Sequence, residues 1–158
     1  MTVAGTGHRP QKLGGFGDDI FNRLVYIVED WLDTNPKYDI VISGMALGFD
    51  QALAIAAHNM KKKLILAIPF KGMEKVWPEK AKERYRYILS ISDETIVVSK
   101  GGYNRKKLFY RNKWMVEHAD AILALWSGSS GGTMACINYA KKMKVPVYNI
   151  WNDFSKRS

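Results

Sequence analysis

Three clusters of residues in this chain have the types and spacing to hold an anionic ligand. The first is Gly5-Thr6-Gly7-His8-Arg9 and the second is Ser43-Gly44-Met45-Ala46-Leu47-Gly48-Phe49-Asp50. The third is Ser127-Gly128-Ser129-Ser130-Gly131-Gly132-Thr133. Glycine removes the Cβ that would otherwise keep a phosphate away from main-chain N–H groups. A helix N-terminus adds unpaired N–H groups and a partial positive charge. The third cluster is the strongest, because Gly131-Gly132-Thr133 runs straight into a helical pattern. Backbone N–H groups and the Thr133 hydroxyl then converge on one point. The competing reading is an ordinary strand-to-helix turn with a serine cap. The first cluster is not the dinucleotide fingerprint, since it lacks the third glycine and no helix follows at once. No Walker-type lysine accompanies any of the three, which argues against P-loop nucleotide hydrolysis.

Several side chains in or near these clusters carry chemistry of their own. Arg9 is suited to pair with a phosphate or carboxylate. His8 is suited to bond a ligand or move a proton; equally, both residues could anchor their loop. Asp50 either caps the helix it opens or accepts hydrogen bonds from ribose hydroxyls. His58, in an alanine-rich helix, reads as a packing residue, and Cys136 as a small core residue. Trp77, Trp114 and Trp126 read as core or loop anchors, with stacking on a base left open.

The elements that must position these groups follow from periodicity and punctuation. A strand over 2–6 leads to a loop over 8–17. Asp18 and Asp19 open a helix carrying Ile20, Leu24, Ile27, Val28, Trp31 and Leu32 at helical spacing, stopped by Asn35-Pro36. A strand over 39–43 precedes the helix 51–60. A strand at 64–68, a helix at Glu79–Ile91 and a strand at 95–98 follow. Next come a polar loop at 100–107, a helix from about 108 to 118 and the strand Ala121–Leu125. A last helix over 134–143 and a strand over 145–150 precede a polar tail. This alternation predicts an α/β fold: a Rossmann-like three-layer sandwich with a mostly parallel sheet, as one domain over 1–158. In such a sheet ligands sit beyond the carboxyl ends of the strands, where all three clusters fall.

Composition narrows the class. The chain has 158 residues, 47% of them hydrophobic, enough for a real core. Its single cysteine excludes an internal disulfide framework and suggests no cysteine-based metal site. No segment is long and apolar enough to span a bilayer, and residues 1–7 do not read as a signal peptide. A cytoplasmic protein without membrane, metal or cofactor is the expectation. The net charge is +9, and residues 71–113 hold 12 Lys/Arg against 5 Asp/Glu. A basic face of this kind suits nucleic acid or anionic nucleotides, or is simply solvated.

Taken together, Gly5-Thr6-Gly7-His8-Arg9-Pro10, the 43–50 segment and Ser130-Gly131-Gly132-Thr133 resemble the SLOG superfamily, close to its YpsA-like branch. The resemblance covers nearly the whole chain in the right order. It implies a Rossmann-like fold with a nucleotide-type ligand at the strand ends. Two relatives within that superfamily imply different activities. LOG phosphoribohydrolases cleave a nucleoside monophosphate to free base and ribose 5-phosphate. Arg111-Asn112-Lys113-Trp114-Met115, Ala119-Asp120-Ala121 and Gly132-Thr133 are similar to their motifs, which implies that Arg111, with Asn112 beside it, holds a phosphate. The position of their glutamate falls on Cys136, and a thiol is a poor substitute for a carboxylate at an oxocarbenium-like centre. Asp50 is the carboxylate available in its place. DprA-like proteins bind single-stranded DNA. Their Ser-Gly-x-Ala-x-Gly-Ile-Asp region resembles residues 43–50, but Leu53-Ala54 stands where their Ala-His would.

The expected function is therefore binding of a nucleotide, nucleotide sugar or related phosphorylated molecule, as a sensor or sequestering module. The alternatives are an N-glycosidase using Arg111 and Asp50, and a single-stranded nucleic-acid binder. Pairing of copies through helices is a further expectation.

Overall fold

The computed structural model describes residues 1–15 and 17–156. Six strands form one sheet: β1 (Thr2–Gly7), β2 (Ile40–Ser43), β3 (Lys63–Ile68), β4 (Glu94–Val97), β5 (Ala121–Leu125) and β6 (Val147–Asn149). Their order is β4-β3-β2-β1-β5-β6, and every neighbouring pair is parallel. The chain therefore walks outward from β1 to β4 and returns to lay β5 against the other side of β1. The strand order reverses at β1, and the crevice between β1 and β5 is the switch point where open α/β sheets bind ligands.

Alternation along the strands sorts side chains to the two faces. Val3, Val41 and Leu66 join one core cluster, with α1 (Asp18–Thr34), α2 (Phe49–Asn59), α3 (Glu79–Ile91) and α6 (Trp151–Lys156). Ala4, Ile42 and Ala67 join the other, with α4 (Arg105–Glu117) and α5 (Gly132–Lys142). The architecture is a Rossmann-like α/β three-layer sandwich, and its sheet is wholly parallel. In α1 the buried residues Leu24, Val25, Ile27, Val28 and Leu32 form the inward stripe that the sequence periodicity predicts. Among the described residues no helix is long and apolar enough to cross a membrane.

Where structure and sequence expectation differ, the reasons are local. The helix α4 starts at Arg105, before the expected 108, because the Asn104 side chain accepts from the Lys106 N–H at 2.9 Å and caps it. Gly7 belongs to β1. The tail, read as merely polar, begins with the short helix α6; one buried ring, Phe154, anchors it beneath the Arg23 guanidinium at 4.3 Å. Six residues are too few for a helical period to show. His58 does not pack: it sits exposed in the last turn of α2. The expected loop 8–17 contains a 3-10 turn at Pro10–Lys12, and Phe16 within it lies outside the described residues.

The helix α2 crosses β1 at very close range. A Cβ on Gly5 would lie 2.2 Å from Leu53 Cδ2, and one on Gly7 within 2.5–2.6 Å of the Phe49 ring and its Cβ. Phe49 and Leu53 are fully buried and have nowhere to retreat. Gly7→Ala should therefore lower unfolding stability by about 1–3 kcal/mol through overpacking. Gly102→Ala, where an added Cβ meets nothing within 4 Å, should change it little. Urea unfolding of the two variants checks the contrast.

Candidate functional site

The switch-point crevice opens into a cavity of about 290 Å³. Thr6 and Gly7 at the end of β1 form its floor, with His8 and Arg9 following directly. Gln11 and Lys12 come from the 3-10 turn, and Ala46 and Asp50 from the β2–α2 connection. Leu108, Arg111 and Asn112 project from α4, while Gly132 and Thr133 open α5.

Arg111 is the deepest cation, only 5% exposed. Its Nη1 donates to the Gly44 carbonyl and to the Ala67 carbonyl at 3.4 Å, and its Nε donates to Asn112 Oδ1 at 2.9 Å. The two carbonyl bonds tie α4 to the turn after β2 and to the last residues of β3. Gly44 is what admits the guanidinium: a Cβ there would sit 2.7 Å from Arg111 Nη1 and 3.0 Å from Asp50 Oδ2. Burial lowers the Arg111 pKa, while the charge of Asp50 supports it.

Asp50 is the matching anion. Its Oδ2 accepts from the Ala46 N–H at 3.3 Å, and its Oδ1 is buried without a hydrogen-bond partner. Burial raises its pKa from 3.8 to about 6, against the pull of Arg111, the Ala46 N–H and Arg9. It lies in the second position of α2, past the capping residue Gly48, and makes no capping bond. Behind it, Ser43 Oγ donates to the Asp50 carbonyl at 2.6 Å and accepts from the Met45 N–H at 3.2 Å, fixing a turn in which Met45 has φ 62°.

The loop between β5 and α5 is held from three directions. His8 Nε2 accepts from the Ser127 N–H at 3.0 Å and lies 2.9 Å from Ser127 Oγ. Lys12 Nζ donates to Ser129 Oγ at 3.0 Å and to the Ser130 carbonyl at 2.9 Å. Trp126 Nε1 donates to the Ser129 carbonyl at 2.7 Å. Burial and then the Lys12 charge lower the His8 pKa, so its imidazole is neutral and clamps the loop through Nε2. Gly131, at φ 140°, turns the chain into α5, whose first N–H groups carry no side-chain cap. The first two residues of α5, Gly132 and Thr133, line the cavity.

Of the residues singled out from sequence, the structure brings Thr6, Gly7, His8, Arg9, Asp50, Arg111, Asn112, Gly132 and Thr133 to one wall. The rest stand behind it. Gly5 lies beneath α2, Ser43 and Met45 are fully buried, and Gly44 backs Arg111. Gly48 abuts the His8 carbonyl. Ser127, Gly128, Ser130 and Gly131 form the clamped loop beside the wall. Lys12 carried no sequence signal; its partners lie 117 and 118 residues away. Cys136 is fully buried, and burial pushes its thiol up to about 11, so it stays protonated and cannot act as a base. Among the described residues no cluster of His, Cys, Asp and Glu is set to hold a metal.

Comparison with known proteins places this geometry in a family. A model described as the YspA SLOG family, YpsA, matches residues 3–151. The chain belongs to that family. The SPbeta prophage-derived protein YoqJ of Bacillus subtilis is 36% identical over 137 residues, covering 77% of this chain and 80% of YoqJ. A UPF0398 protein of Bacillus licheniformis is 29% identical, covering 96% of this chain and 91% of its own. Among solved structures, DNA processing protein A of Helicobacter pylori matches with a TM-score of 0.67 at 18% identity, over 94% of this chain and 64% of that one. The Streptococcus pneumoniae protein DprA gives 0.69 at 18% identity, over 94% of this chain and 49% of its own. The SLOG chain here thus spans one half to two thirds of those two proteins, and the likeness is one of fold.

The Asp50 environment makes a pH prediction. A carboxyl whose folded pKa is raised binds more protons folded than unfolded between pH 3.8 and about 6. Its contribution is then most favourable below that window and is lost as pH rises through it, by about 3 kcal/mol at about 1.4 kcal/mol per unit. Asp50→Asn should remove this slope. The stability difference between variant and parent should grow in the variant's favour from pH 4 to pH 7, as followed by urea unfolding at each pH.

Proposed function

We propose that this chain binds a nucleotide or nucleotide-derived phosphorylated ligand in the switch-point cavity, as a sensor or sequestering module. The observation that carries the reading is the convergence of Arg9, Lys12 and buried Arg111 with the uncapped start of α5 on one cavity. Three cations and a set of free N–H groups match a phosphate group. The Asp50 carboxylate, which lines the same cavity beside Arg111, is an acceptor suited to the hydroxyls of a ribose. Cys136, protonated and enclosed at the position of the LOG glutamate, favours holding over cutting.

One observation favours a second reading. A buried carboxyl with a pKa near 6 and one oxygen without a hydrogen-bond partner is the kind of group that acts as an acid or base near neutral pH. Hydrolysis of the N-glycosidic bond would then run through Asp50, with Arg111 holding the phosphate. A third reading draws on the H. pylori relative, described as binding single-stranded DNA, together with the excess of cations in residues 71–113.

One titration series separates the three. Calorimetry with AMP, UMP and ribose 5-phosphate should show saturable binding to the parent protein. Lys12→Ala removes an exposed cation without emptying the core, and should weaken binding about tenfold, the worth of one charge-assisted hydrogen bond. Chromatography of the same mixtures should show no free base; base released by the parent and abolished in Asp50→Asn would install the hydrolase reading. Tight oligonucleotide binding that collapses with salt and ignores mononucleotides would install the third.

A further inference from the structure

A second cavity of about 250 Å³ lies among α1, α2 and α3, on the other side of the 8–10 segment from the phosphate cradle. The two do not connect through that segment. The Phe49 N–H donates to the His8 carbonyl at 3.4 Å, and a Cβ on Gly48 would lie 2.8 Å from the same oxygen. Adjacent residues face opposite ways: Arg9 and Asp50 line the cradle, while Pro10 and Gln51 line this cleft. Its walls are largely apolar, with Phe21, Leu24, Leu47 and Ala81 among them.

One lining residue does not suit an apolar wall. Gln51 is fully buried, and neither Nε2 nor Oε1 of its carboxamide has a hydrogen-bond partner. A buried amide without partners is destabilising, and a leucine of similar size would fill the space without that cost. The cations at the rim are already engaged. Lys80 and Arg84 lie 2.8 and 3.6 Å from Asp18, and the Arg84 guanidinium stacks 3.7 Å over the Phe21 ring. Among the described residues the cleft therefore lacks a free charge to recruit an anion, but holds a donor and an acceptor side by side within apolar surroundings. Its volume of about 250 Å³ accommodates a single ring.

We infer that this cleft is a second binding site, separate from the cradle, for a small uncharged ring with a cyclic-amide edge of the kind a pyrimidine base presents. The Gln51 carboxamide pairs with the donor and acceptor of that edge, and the apolar walls cover the ring faces. The inference does not depend on what the cradle holds.

The test is titration of uracil, and of 1,3-dimethyluracil, which lacks the donors, into the isotopically labelled full chain, followed by amide chemical shifts. Uracil should give saturable shifts at Gly15, Leu24 and Ala81, with no comparable change at Gly132 or Thr133; the dimethyl compound should bind at least tenfold more weakly. Gln51→Leu should keep or raise the melting temperature and weaken uracil binding tenfold or more, while Lys12→Ala leaves it unchanged. If Gln51→Leu fails to fold, Ala81→Leu, which places a larger side chain in the cleft, must block uracil. Absence of saturable shifts, shifts confined to the cradle, or undiminished binding in the folded cleft variant would each overturn the inference. AMP titrated in parallel reads the cradle independently.

Discussion

A single buried guanidinium organises the carboxyl edge of this sheet. Arg111 reaches from α4, on one face, to carbonyls at the ends of β2 and β3. A cation at that depth is tolerable only because its donors are met by carbonyls and an anion stands near it. That requirement propagates outward. Gly44 must lack a side chain, the turn after it must carry Met45 at a positive φ, and Asp50 must sit buried at the start of α2. The same constraint that leaves Asp50 half-satisfied places its carboxyl in the cavity wall.

Around this centre the wall is assembled from distant parts. The end of β1, the Pro10–Lys12 turn, the β2–α2 connection, α4 and the start of α5 each contribute a few atoms. Two clamps hold them in register: His8 on Ser127, and Lys12 on Ser129 and Ser130. The glycines divide their labour. Gly5 and Gly7 let α2 approach β1, Gly44 admits Arg111, and Gly131 turns the chain into α5 at the cavity wall.

Much of this was legible in the sequence. The alternation of strand and helix patterns leads directly to a parallel sheet, and the span of α3 and of β5 follows from periodicity alone. Nine of the wall residues lie in the glycine-rich clusters or beside Arg111, because glycine spacing and a helix start report where a backbone can approach a ligand. What was not legible was long-range or very local. Lys12 acquires its role only when residues more than a hundred positions away arrive beside it. Gly5, Ser43 and Met45 share motifs with wall residues but spend themselves on packing, and a motif does not say which of its members face outward. The helix α6 rests on one buried ring, too little for a pattern. The partnerless amide of Gln51 is visible only once α1 and α3 close over it.

The strand order has a consequence for how the chain is made. During synthesis from the N-terminus, β1 can pair with β2 as soon as that strand emerges, but its other edge stays uncovered until residues 121–125 appear. That edge belongs to a strand whose Val3 and Ala4 are fully buried in the finished fold. Until then the nascent chain presents an apolar, unpaired rim at what will become the middle of its sheet, the kind of template on which chains join one another. The strand that completes the switch-point crevice is also the one that ends this exposure, so folding safety and assembly of the cavity hinge on the same late event.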